Sequence, residues 1–263
     1  MQPQVKWGKP MMVSSIVASS LRLQGAAGSA LPSLPAAPTT IQISDVFQSF
    51  DGRDVLRGIS VTLTERRIGI VGANGSGKST FARLLNGLML PDRGTVRIDG
   101  LETAREARAV RRKVGFVFQN PDTQIVLPTV EEDIAFGLKG QKSGAAERAA
   151  KVTAILDRFG LADLRQAPAH RLSGGQKQLL AIAGVLITAP DCIVFDEPTT
   201  LLDLRNARRI GQVIADLAQT AIVVTHDLPL LAGFDRVLVF DQGRIVADDE
   251  PGPALRSYVE RMT

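Results

Sequence analysis

A run of glycines ends in an amine and two hydroxyls at Gly72-Ala73-Asn74-Gly75-Ser76-Gly77-Lys78-Ser79-Thr80, entered directly from the apolar stretch Ile68-Gly69-Ile70-Val71. The spacing is G-x-x-x-x-G-K-[ST], which binds phosphate when a strand leads in and a helix leads out. Glycines let successive backbone N–H groups curl round phosphate oxygens, and the helix adds the partial positive charge of its N-terminus. Lys78 supplies a full charge to the β- and γ-phosphates, and the Ser79 hydroxyl is placed to ligate magnesium. A chance glycine turn before a helix would explain the glycines but not the whole motif.

A second constellation completes hydrolytic chemistry. The apolar strand Cys192-Ile193-Val194-Phe195 ends in two acids, Asp196 and Glu197. Strand alternation points them to opposite sides and so to different work. Asp196 suits magnesium, directly or through a group bound to the ion, and Glu197 suits the base that polarises an attacking water. Adjacent acids at a strand end are commonly a solvated turn. Here Pro198-Thr199-Thr200, Asp203 and His226 follow at meaningful spacings, and the pentapeptide Leu172-Ser173-Gly174-Gly175-Gln176 stands between the two constellations.

With these motifs in this order, the chain resembles the nucleotide-binding subunit of ATP-binding-cassette proteins from Ile41 to Thr263. The resemblance implies an α/β P-loop nucleotide-binding domain, with a RecA-like core, an antiparallel β-subdomain and a helical signature subdomain at about 120–185. It implies ATP and Mg2+ as ligands. It makes Gln119 the glutamine that touches magnesium and water and couples to a membrane partner. Leu172 to Gln176 becomes the signature, in which Ser173 and the Gly174 and Gly175 amides reach the γ-phosphate on the opposite subunit of a head-to-tail dimer. Asp203 matches the D-loop aspartate and His226, in Val224-Thr225-His226-Asp227, the switch histidine. Phe50 falls where the family stacks an aromatic on adenine, with Phe47 as competitor. Only one set of motifs is present, so a second ATPase subunit, expected as a homodimer, must complete each site. ATP then bridges the two subunits by charge-assisted hydrogen bonds, and hydrolysis lets them part.

The segment Gln119-Asn120-Pro121-Asp122-Thr123-Gln124 through Gly137 resembles the energy-coupling-factor branch, which imports vitamins and transition-metal ions. Thr64-Glu65-Arg66-Arg67 before the phosphate loop and Leu201-Leu202-Asp203-Leu204-Arg205-Asn206 after the acids look like the ATPases of biotin importers. Both depart from the commoner Gly-Glu and Ser-Ala-Leu-Asp patterns. The resemblance therefore implies a membrane coupling protein and a small membrane substrate-binding protein as partners, biotin as the transported substrate, and a place on the cytoplasmic face of a bacterial inner membrane. Cobalt, nickel or another vitamin is the alternative substrate. A DNA-repair cassette would carry a long coiled coil and a translation-factor cassette two sets of motifs; neither pattern is present. The short stretch Pro251 to Thr263 reads against a long regulatory C-terminal domain.

Composition sets wide bounds around this reading. The chain has 263 residues, 44% hydrophobic, enough for one substantial core with an attached lobe. Its single cysteine, Cys192, reads as a buried core residue and excludes a disulfide within the chain. The formal net charge of +4 would suit nucleic acid or anionic lipid. It is discounted, because Lys6, Lys9 and Arg22 stand in the leading segment, while Arg105, Arg108, Arg111, Arg112 and Lys113 read as a solvated helix face; no nucleic-acid partner is expected. No stretch approaches the ~18 apolar residues that cross a bilayer.

Residues 1–40 differ in kind, Ser-rich and then Pro-rich. They read as a targeting peptide, a translated stretch upstream of the true start, or a disordered tail, and a chain starting at about Thr40 is expected to fold and turn over ATP. Beyond them, Ile41 to Phe47 and Ile59 to Leu63 alternate as antiparallel strands round Asp51-Gly52-Arg53-Asp54. The spacing predicts a helix over 78–88, a strand over 114–118 running into Gln119, and helices over 145–159 and 175–187. Further strands are expected over 193–195, 222–224 and 237–240, the last turning through Asp241-Gln242-Gly243.

Overall fold

The computed structural model describes residues 37–262, so the three readings of the leader lie outside the described residues except at 37–40. Alternation of buried and exposed residues builds an antiparallel pair, β1 (Ile41–Phe50) and β2 (Arg53–Leu63), closed by Asp51 and Gly52 at positive φ. β4 (Arg93–Ile98) pairs with β1, and the short β5 (Leu101–Glu102) with β4, giving a four-stranded sheet in the order β2-β1-β4-β5. The second sheet runs β10-β9-β3-β8-β7-β6. In it β3 (Arg67–Gly72), β6 (Val114–Val117), β7 (Cys192–Asp196), β8 (Thr220–Val224) and β9 (Arg236–Asp241) are parallel, and β10 (Arg244–Asp249) is an antiparallel edge.

β3, β7 and β8 are buried at every residue. That is why they read as unbroken apolar runs: both faces are covered. Cys192, Val194, Ile222 and Val224 face α1 (Lys78–Leu85) and the antiparallel sheet, where Phe81 packs on Phe240 with ring centroids 5.0 Å apart. Ile193, Phe195, Ala221 and Val223 face the opposite layer of α5 (Gly174–Leu186) and α6 (Leu204–Ala215). α3 (Val130–Phe136) and α4 (Ala145–Phe159) pack outside α5, so the chain between β6 and β7 is helical. α2 (Thr103–Lys113) precedes β6, and α7 (Pro251–Met262) covers β9 and β10. Cys192 is fully buried and its thiol is pushed up by desolvation.

Two local differences from expectation have simple causes. α1 ends at Leu85, because Asn86 caps the turn by accepting from Leu88 N and Gly87 takes a left-handed φ of 67°. Thr39, inside the expected leader, is buried; its N–H donates to Thr220 Oγ1 at 2.9 Å. A chain beginning at Thr40 is therefore expected to be about 1 kcal/mol less stable than one beginning at Ala37, with ATP turnover the same in both. Urea midpoints check this, and equal midpoints would show that the bond contributes nothing.

The Glu65-Arg66-Arg67 departure has a structural account. Arg67 is buried and its guanidinium donates to Gln219 O (2.7 Å), Ala215 O (3.2 Å) and Leu217 O, closing the C-terminal end of α6 onto β3. Burial holds its pKa below the usual arginine range. Glu65 pairs with Arg236 at 3.0 Å across to β9.

Candidate nucleotide site

Four parallel strands end on one side of the sheet and release the chemistry there: β3 into the glycine loop, β6 toward Gln119, β7 at Asp196-Glu197 and β8 toward His226. Open α/β sheets place ligands at this carboxyl edge. A cavity of about 440 Å³ lies there, lined by Asn74, Gly75, Gly77, Lys78, Ser79, Thr80, Gln119, Glu197 and His226, together with Val55 and Thr200. Those nine were legible in the sequence. Val55, on β2, carried no signal at all, and Thr200 carried only its place in Glu-Pro-Thr-Thr.

Gly77 has φ 103°, and a Cβ on it would stand 2.7 Å from Val55 O and 2.8 Å from Leu56 Cδ2. Only glycine lets the loop close against β2. Gly77 N-caps α1 without a side chain, and no acid occupies the first turn, so that end of the helix remains suited to an anion. Lys78 is buried, with Nζ donating to Gly72 O at 2.8 Å and Ala73 O at 2.9 Å. Desolvation holds its pKa below the usual lysine range, against the opposing pull of Glu197 and Asp196. An anion beside this under-compensated ammonium is stabilising. Ser79 Oγ donates to Asp196 Oδ1 at 2.8 Å. With the Gln119 amide at the cavity, that is an oxygen donor set of the kind a hard cation shares with phosphate and water. The residues therefore fit a nucleotide and magnesium.

Glu197 corrects the strand-alternation argument. β7 stops at Asp196, and Glu197 takes a left-handed φ of 54°, so period two does not reach it. Its carboxylate is buried. Thr200 Oγ1 donates to Oε2 at 2.8 Å, His226 N donates to the same oxygen at 3.3 Å, and His226 Nε2 lies 3.2 Å from Oε1.

Other expected site residues stand apart from the cavity. Ser76 is buried, its hydroxyl without a hydrogen-bond partner among the described residues and its N–H donated to Ala73 O at 3.2 Å. Phe47 is held under Arg93 at 4.3 Å from its ring centroid, and Phe50, at the end of β1, is 43% exposed; neither lines the cavity. Ser173 N-caps α5 in a capping box with Gln176: Ser173 N donates to Gln176 Oε1 at 2.8 Å, and Gln176 N to Ser173 Oγ at 3.4 Å. Asp203 N-caps α6, accepting from Asn206 N at 2.8 Å, which holds its carboxyl below the usual range. A Cβ on Gly175 would meet Asn206 Oδ1 at 2.3 Å, so the two helix starts pack tightly together. None of Ser173, Gly174, Gly175, Gln176 or Asp203 reaches the cavity of its own chain.

The ABC transporter family model matches residues 56–200. The chain belongs to the ABC transporter family. This ABC ATPase is 61% identical over 223 residues to an ABC transporter ATP-binding protein of Deinococcus radiodurans, covering 85% of this chain and 99% of that one. It is 48% identical over 220 residues to the biotin transport ATP-binding protein BioM of Rhizobium etli, covering 84% and 98%. Its fold matches cbiO1 of Clostridium perfringens, part of the ABC transporter complex cbiONQ, with a TM-score of 0.74 and 31% identity over 84% of this chain and 93% of that one. The parallel core, antiparallel sheet and helical layer are thus those of an ABC cassette, and the chain is an ATP-binding subunit of the energy-coupling-factor type.

Proposed function

We propose that this ABC ATPase works as a homodimer on the cytoplasmic face of a bacterial inner membrane and energises biotin import through a membrane coupling protein and a small substrate-binding protein. The observation that carries the dimer is a separation: the signature start of α5 and Asp203 are held by capping hydrogen bonds, yet stand outside their own chain's cavity. A second copy placed head to tail brings Ser173, Gly174, Gly175 and Gln176 to the phosphate held by Lys78. The likeness to BioM supports biotin. Among the described residues no helix is long and apolar enough to cross a membrane, which suits a subunit that acts on membrane partners.

Within the site, Lys78 and the N-terminal amides of α1 hold the β- and γ-phosphates. Ser79, Asp196 and Gln119 would hold magnesium, which when bound neutralises phosphate charge. Glu197 orients and deprotonates the attacking water, and His226 faces the same carboxylate. Phe50 stacks on the adenine.

Coupling runs from Gln119 outward. A 3-10 turn, Pro121–Thr123, follows it, and Asp122 pairs with Lys177 of α5 at 2.7 Å. Gln124 accepts from Phe118 N at 3.2 Å and donates to Ala181 O at 3.1 Å. It is therefore a pin between β6 and α5, and its loss would damage folding as well as coupling. Val126, 61% exposed, and Leu127 carry the segment to the surface, where Leu127 and Phe136 line a groove of about 690 Å³ suited to a docked helix. Dimer closure shifts this segment against that helix. Reconstituted in liposomes, the complex should accumulate biotin with ATP, and Leu127→Asp or Val126→Asp should reduce uptake more than hydrolysis. Uptake of cobalt or nickel without biotin would keep the motor and refute the substrate. Equal loss of uptake and hydrolysis would assign the segment to catalysis.

A further inference from the structure

We infer that Thr200 is a positioning residue for the Glu197 carboxylate, anchoring one of its two oxygens and so fixing the direction in which the group is presented. The inference rests on the reading of Glu197 as the base. Glu197 leaves β7 at a left-handed φ, Pro198 fixes the next backbone torsion, and the chain turns back until Thr200 N reaches Glu197 O at 3.4 Å. The turn carries the Thr200 hydroxyl to 2.8 Å from Oε2, the oxygen that also accepts from His226 N. Oε1 accepts no hydrogen bond from the described residues, although His226 Nε2 is 3.2 Å away. Both donors thus hold Oε2, while Oε1 is buried beside His226 Nε2, so the Thr200 hydroxyl and the His226 amide together fix the orientation of the carboxylate.

The need for an anchor follows from the side chain. Glutamate has three rotatable torsions, and a base contributes fully only while its acceptor is held on the proton's path. Thr200 is exposed, lines the nucleotide cavity and, among the described residues, makes its side-chain hydrogen bond to Glu197 alone; Thr199 is buried beside it. The hydroxyl is therefore placed for the carboxylate and not for packing. Valine keeps its shape and removes the donor, whereas serine keeps the donor.

The experiment measures kcat, KM, ATP affinity and Tm for the full-length wild type, T200V, T200S, E197Q and T200V/E197Q. T200V should lose about tenfold in kcat, a part of the about 10²–10⁴-fold that a positioned base supplies. Its ATP affinity should stay within about twofold, T200S should return kcat to within about threefold of wild type, and the double variant should be no slower than E197Q. Tm should not move. Wild-type kcat in T200V, equal impairment of T200S and T200V, or a loss that tracks Tm would overturn the inference. If E197Q collapses while T200V is untouched, only the role of Thr200 falls; if E197Q turns over normally, the base reading falls and Thr200 with it.

Discussion

Glu197→Gln is expected to bind ATP normally and hydrolyse it about 10²–10⁴-fold more slowly, equivalent to about 3 to 5 kcal/mol of barrier. The substitution is nearly isosteric. An amide oxygen in the place of Oε2 can still accept from Thr200 Oγ1 and His226 N, so the turn after β7 has no reason to move. What disappears is the ability to take a proton from water. The charge change also removes a group that favours the Lys78 ammonium, leaving Asp196 as its remaining acidic neighbour. ATP, which brings its own negative charge to Lys78, then becomes a larger share of that compensation, so the protein should accumulate as the ATP-bound closed dimer. Single-turnover hydrolysis and size-exclusion chromatography with ATP measure the two effects. Near-normal hydrolysis would remove Glu197 from the role of base.

Lys78→Ala and Ser173→Arg should each abolish turnover as homodimers, for different reasons, and mixed dimers should regain a substantial fraction of it. Lys78 is the cation of its own chain's cavity, buried with its ammonium on the Gly72 and Ala73 carbonyls. Ser173 begins α5 outside that cavity, so an arginine there places bulk and charge where the other subunit's nucleotide would meet it. In a dimer of one Lys78→Ala chain and one Ser173→Arg chain, both lesions fall on the same composite site. The other site keeps Lys78 from one chain and Ser173 from its partner. Separately tagged chains, purified through both tags, give dimers of known composition. If these are as inactive as the two parents, the trans arrangement is wrong.

The phosphate loop and the acid pair were legible because each is a local pattern on a strand buried on both faces, and such strands stand out as continuous apolar runs. β1 and β2 were legible by alternation. Other elements were not read although local signals existed: Thr129 and Glu132 form a capping box at the start of α3, with Glu132 N to Thr129 Oγ1 at 3.3 Å, and Asp203 caps α6. β4 and β5 are short, and five of their eight residues are polar or glycine, so they hold no pattern apart from the partner strand that pairs with them.

The sequence by itself determined the family and the chemical inventory, because the amine, hydroxyl, amide, acids and histidine sit in motifs whose spacing is set by single turns of backbone. Only the tertiary structure decided which of them meet. Ser79 and Asp196 are 117 positions apart and share a 2.8 Å hydrogen bond, since β3 and β7 both flank β8 and end on the same edge. It seated Arg93 on Phe47 and left Phe50 exposed at the end of β1. It brought Thr39 into the fold, and it made Gln124 a pin between β6 and α5. It also set Glu197 off the strand and returned Thr200 to it, because a left-handed residue followed by proline reverses the chain, which strand alternation cannot describe.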